Sequence, residues 1–361
     1  MAENVSDDRP KSIRGPFIGA LSIGAALALT LGVGLVLRLF LAGYRVPVGD
    51  FSHLRHVHTH LGTYGVLFPL MWWVWKTNGL RIPGPWALAF YAVAVVVSAV
   101  GFAQSGYGLV SIAGSTAVLG VWMLSAWKVR DQMRPDGGWL ASAPLAILTG
   151  ALMVPLVAQA ASPERVQAVV RSFLSMLMLG ALVPSALHRL PAPAPPPLVW
   201  FCAATAAALS VGAVAVAPLQ LGLVALAAML AWALWRAQAP LDLRLAWGLA
   251  AVGMLVVGVG LVPMDRQMAV AGTHYLVLGP LLLSMTRLAV PRRLSAAVRV
   301  GILVLVAGMS AAIALQTLAP GPYWGRLAAW TGIAVAVSWV GLSLVAAVSG
   351  AAKLLGVATR D

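Results

Sequence analysis

Four of the six histidines in this chain fall within eight residues, in the segment His53-Leu54-Arg55-His56-Val57-His58-Thr59-His60. An apolar run containing Trp72, Trp73 and Trp75 follows directly. Neutral imidazole is the commonest protein ligand for iron, copper and zinc, and ionisable side chains in hydrocarbon are kept chiefly for pairing, transport or ligation. The segment therefore points to a metal or heme site at the mouth of a membrane helix. At about 100° per residue, His53, His56 and His60 share one stripe, which Tyr64 continues, whereas His58 points to a different face. His58 can then face a ligand on one side. The other side offers three imidazoles to copper, zinc or non-heme iron, or lines a polar pocket.

Either site has to be carried by membrane helices. The chain has 361 residues, of which 61% are hydrophobic and 9% charged, against roughly 25% charged in a soluble domain. Apolar runs of the roughly 20 residues that cross a bilayer recur at 16–42, 52–75, 84–104, 106–127, 139–160, 166–188, 198–216, 219–236, 245–263, 267–287, 297–317 and 326–349. The sequence thus predicts an all-α, polytopic membrane bundle of about twelve helices, with lipid as its surroundings. It forms one domain over 16–350 between short tails at 1–15 and 351–361.

The net charge of +14 reflects orientation and not nucleic-acid binding. With the N-terminus inside, seventeen Lys and Arg fall on the cytoplasmic segments, whereas Arg45, Arg165, Arg266 and Arg326 are the four in the opposite loops. That bias places both termini in the cytoplasm. The remaining three cations, Arg38, Arg55 and Arg171, sit within predicted spans.

On this topology the second and tenth helices both start outside. His58 and His60 then lie roughly 9 to 12 Å deep at the helical rise, and His274, about seven residues into the tenth helix, lies at matching depth. His188, at the cytoplasmic end of the sixth helix, reads as interfacial. All ten Asp and Glu fall in tails or loops, which argues against a carboxylate proton relay or ion site. Cys202 is the single cysteine, so there is no disulfide and no C-x-x-C-H for covalent heme attachment. Arg171 needs a partner inside the membrane, which a heme propionate or a backbone carbonyl at a broken helix end would supply. Arg55 and Arg326 are expected near the outer interface.

These residues resemble subunit I of the heme-copper oxidase superfamily, whose members have twelve helices and cytoplasmic termini. Leu54-Arg55-His56-Val57-His58-Thr59-His60 is similar to the L-R-x-x-H-T-N segment of the high-affinity bacterial branch. Ala271-Gly272-Thr273-His274-Tyr275 resembles the family's A-H-F-H-Y on helix ten. The resemblance implies that His58 and His274 hold a low-spin b-type heme, in a protein of the bacterial inner membrane. Gly272 stands where the family has the high-spin heme ligand, and helices six and seven lack the copper-binding histidines. Proton-pumping reduction of oxygen is therefore not expected. The heme-and-copper membrane proteins of the nitrosative-stress response are a looser likeness, through His58-Thr59-His60-Leu61-Gly62.

The sequence thus predicts a membrane cytochrome with heme b between His58 and His274, near the outer face, with Arg55, Arg171 and Arg326 as pocket or propionate contacts. Arg38 is a further candidate. Such a protein would transfer electrons or carry out redox or small-gas chemistry, with a redox protein or a quinol as partner. A non-heme copper, zinc or iron enzyme built on His53, His56 and His60 is the alternative, and a metal or solute transporter a further one.

Overall fold

The computed structural model describes residues 14–47, 49–130, 138–159, 162–188, 193–213, 217–286, 296–319 and 321–354. Most of the two expected tails and the charged loop around 131–137 lie outside the described residues. The described chain is helical, without strands: α1 (Arg14–Leu41), α2 (51–77), α3 (Pro85–Ser105), α4 (Leu109–Arg130), α5 (Ala143–Gln159), α6 (163–187), α7 (Pro197–Ala213), α8 (Ala217–Arg236), α9 (Leu241–Gly258), α10 (266–286), α11 (Ala296–Leu318) and α12 (Pro322–Leu354). Nine helices among the described residues are long and apolar enough to cross a membrane. The outlying three, α2, α7 and α8, occupy other expected spans; α7 and α8 are shorter, and α2 opens with a polar, histidine-rich turn.

Three helices are built alike, although no repeat is legible in the sequence. Asp50, Ser162 and Asp265 cap α2, α6 and α10, each accepting a hydrogen bond from the backbone N–H three residues on, which satisfies one of the orphan donors of a helix start. The His53 N–H bond holds the exposed Asp50 carboxyl below its ordinary pKa. Each of these helices then widens into a π-helical stretch, Leu61–Leu67, Met178–Leu182 and Val277–Leu281. Pro69 and Pro184 immediately follow the first two, and Pro280 lies within the third. A proline lacks the N–H that an α-helix needs at its position. The i→i+5 bonds from Phe68 to Thr63 and from Val183 to Met178 re-pair the backbone there. Carbonyls in the π stretches also take side-chain donors from the neighbouring helices: Tyr91 Oη donates to Tyr64 O at 2.6 Å and Trp200 Nε1 to Leu179 O at 2.9 Å.

Packing follows chain order: each helix contacts its sequence neighbours and α12 closes on α1. The C-terminal ends of α2, α6 and α10 meet one another, and Trp75 Nε1 donates to Ser185 Oγ across that junction at 3.0 Å. The outward faces are apolar, with Leu29, Val93, Leu152, Leu221, Val304 and Val337 all exposed. Such a surface suits lipid.

One acidic residue departs from expectation. Asp242 is not a solvated loop residue: it lies in the first turn of α9, 2% exposed, and its Oδ2 accepts from Arg299 Nε of α11 at 2.6 Å. An acid at a helix start suits the macrodipole, and the ion pair joins two helices. Asp242→Asn is expected to lower detergent-phase stability by about 1.5 to 3 kcal/mol, the worth of a charged hydrogen bond, read as a drop in thermal unfolding midpoint.

Candidate functional site

Because α2, α6 and α10 converge at one end, a chamber opens between their N-terminal halves. The cavity measures about 360 Å³, within the range of small-molecule sites. Its walls come from α1, α2, α6 and α10, with smaller contributions from α7, α11 and α12. They are mostly apolar, and the polar groups among them are chiefly imidazole, guanidinium and threonine.

His58 and His274 both line this chamber. Their rings lie 6.0 Å apart between centroids, with planes 13° from parallel. Each Nδ1 is engaged by a backbone carbonyl: His58 with Thr30 O of α1 at 2.9 Å, His274 with Val270 O at 2.8 Å. A carbonyl accepts only from an N–H, so both rings carry the proton on Nδ1 and a lone pair on Nε2. Neither Nε2 has a hydrogen-bond partner among the described residues. A carbonyl fixing tautomer and ring orientation is the usual support of a metal-bound histidine. Two metal–imidazole bonds of about 2 Å, plus half of each ring, account for the observed separation.

The other histidines are held differently, although His56 and His60 also line the chamber. His60 is buried, stacked on Phe102 at 4.0 Å and set edge-on to Tyr64 at 5.1 Å, with its Nδ1 engaged by His56 O. His56 packs against Tyr107 at 4.5 Å, and Ser52 Oγ lies 3.5 Å from its Nε2. His53 lies against the Gly106 turn between α3 and α4, where an added Cβ would meet its ring at 2.9 Å. The stripe His53, His56 and His60 thus packs against α3 and the turn after it, with His56 and His60 also bordering the chamber. Among the described residues, no group of three or more His, Cys, Asp or Glu side chains is placed to hold a metal ion.

All three arginines that the sequence puts inside spans, Arg38, Arg55 and Arg171, line the chamber, and no Asp or Glu is among the described lining residues. Arg171 Nη2 donates to Gly212 O in the last turn of α7 at 3.2 Å, while its Nε is buried with no partner among the described residues. Arg326 is a correction: it is exposed and absent from the lining, because it follows the first turn of α12, whose contribution to the wall comes lower, at Gly332, Val335 and Ala336. Arg266, counted above as a loop residue, is instead the first residue of α10 and lines the chamber. Thr30, Gly34 and Tyr107 complete the site unannounced by any motif. Gly272 is exposed and outside the lining, and His188 lies at the opposite end of α6.

Comparison with protein-family models, with curated proteins and with solved structures returns no match to this chain. Its function has to be argued from the chamber.

Proposed function

We propose that this chain is a membrane cytochrome that holds one b-type heme between His58 and His274. The observation that carries the reading is the pair of imidazoles lining the chamber, each fixed by a backbone carbonyl and each with an Nε2 that has no partner among the described residues. Three further features fit the group: an apolar chamber of about 360 Å³, four arginines lining it, and no carboxylate among its described residues. A dianionic cofactor would supply the counter-charge those cations need in a membrane.

His58 and His274 would hold the group with two neutral imidazoles, a ligand set that would favour electron transfer over substrate activation. Heme b would supply a one-electron redox couple there. The protein's own part is to hold the ligands in one tautomer, to neutralise the propionates with Arg55, Arg171 and Arg266, and to exclude water with the apolar wall. The positive-inside bias places this end of the bundle at the outer face of a bacterial inner membrane, with both termini cytoplasmic. On this reading the bundle is heme-copper-oxidase-like, with about twelve spans. Its oxygen-reducing centre is lost, and a redox protein or a quinol is the electron partner.

The test is the visible spectrum of the detergent-purified protein, oxidised and dithionite-reduced, with pyridine hemochrome and elemental analysis on the same sample. Sharp reduced b-type bands at about one heme per chain are expected for a single bis-imidazole site. A colourless preparation, with or without another metal, overturns the reading.

A further inference from the structure

Gly34 lies in the middle of α1, where glycine is about 1 kcal/mol less favourable than alanine on propensity alone. It faces His58: a Cβ built on Gly34 would meet the imidazole at 2.6 Å from Cε1, 2.9 Å from Nδ1 and 3.4 Å from Nε2. The three atoms nearest to that Cβ all belong to His58, whereas the same test at Gly32, two residues earlier, finds only open space. Thr30, whose carbonyl His58 uses, is one helical turn before Gly34. The ring therefore reaches its acceptor by passing over the bare backbone of Gly34.

The two helices are packed closely at this level. A Cβ on Gly62 of α2 would meet Thr30 Cγ2 at 3.1 Å, and one on Gly65 would meet Ala26 Cβ at 3.0 Å. With α1 and α2 this close, a side chain added at position 34 meets the His58 ring first.

We infer that Gly34 is a positioning residue for the His58 ligand: its missing side chain lets the imidazole bond Thr30 O and so present Nε2 to the cofactor. This rests on the cytochrome reading and adds a determinant of its coordination state. A methyl group at 34 would push the ring off the carbonyl and leave His274 as the one imidazole placed to hold the cofactor.

The experiment compares heme-loaded wild type with Gly34→Ala and Gly32→Ala, each reduced and exposed to carbon monoxide, with spin state read by electron paramagnetic resonance on the oxidised samples. Gly34→Ala is expected to convert from low to high spin and to bind carbon monoxide at least about tenfold more than wild type, the scale of loss seen when a ligand's outer partner is removed. Gly32→Ala is expected to match wild type. A Gly34→Ala protein with wild-type spin state and carbon monoxide binding overturns the inference while leaving the cytochrome intact. A wild-type protein without heme overturns both. If Gly34→Ala does not accumulate, the double variant Gly34→Ala, His58→Ala decides: accumulation at the level of His58→Ala alone shows that the clash is with the ring, and failure to accumulate overturns the inference.

Discussion

Replacing His274 with alanine is expected to abolish the low-spin bis-imidazole spectrum and to cut retained heme by more than about 10-fold. That figure is a lower bound, because losing only an outer-sphere partner of a ligand already costs about 10- to 100-fold. His58→Ala is expected to behave in the same way, since the two rings face each other at 6.0 Å and are supported alike, by Thr30 O and Val270 O. The neighbouring histidines give the contrast. His60 is stacked on Phe102 with its Nδ1 turned back to its own helix, and His53 lies against the Gly106 turn. His53→Ala and His60→Ala should therefore leave the spectrum unchanged, with His60→Ala lowering stability through its lost ring packing. Heme content and bands unaffected by either His58→Ala or His274→Ala would remove the pair from the site. Loss of the spectrum in His60→Ala at normal protein yield would move the ligand to the other face.

The reason the pair could be found without coordinates is that it depends on two local regularities, 100° of turn and 1.5 Å of rise per residue. Those suffice to put His58 off the stripe of its neighbours and level with His274. The membrane class was legible for a similar reason, because composition alone decides it. What stayed hidden depends on other helices. Thr30 contributes a backbone carbonyl, which no residue type announces, and Gly34 contributes the absence of a side chain in a helix that also holds Gly32 and Gly24. Pro69, Pro184 and Pro280 are visible in the sequence, but that the chain answers each with a π-helical stretch on the same three inner helices is a matter of where spare carbonyls find donors. Arg266 and Arg326 show the limit of assigning charges by loop. Both are exposed near the start of a helix, yet only Arg266 lines the chamber, and that difference is set by which helix lies against the cavity.

The arginines give the second large effect. Arg38, Arg55, Arg171 and Arg266 share a wall with no carboxylate among the described residues; Arg266 is exposed, but for the half-buried Arg38, Arg55 and Arg171 a guanidinium without a counter-charge is costly. Arg171 meets only part of its need through Gly212 O, leaving Nε unpaired among the described residues. If propionates complete this set, the double variant Arg171→Gln, Arg266→Gln is expected to lose heme at least about 10-fold more readily in detergent, two charge-assisted bonds being worth about 1.5 to 3 kcal/mol each. The heme it keeps should be easier to oxidise. Removing positive charge near the cofactor favours the ferric state, so the midpoint potential falls, by tens of millivolts where about 59 mV corresponds to a tenfold change in a one-electron equilibrium. Arg326→Gln, exposed and outside the lining, should change neither retention nor potential. The heme-free protein gives the opposite sign: with no anion present, the same double substitution relieves like-charge repulsion and should raise the thermal midpoint. A variant that keeps its heme at an unshifted potential would show that these cations serve some other anion.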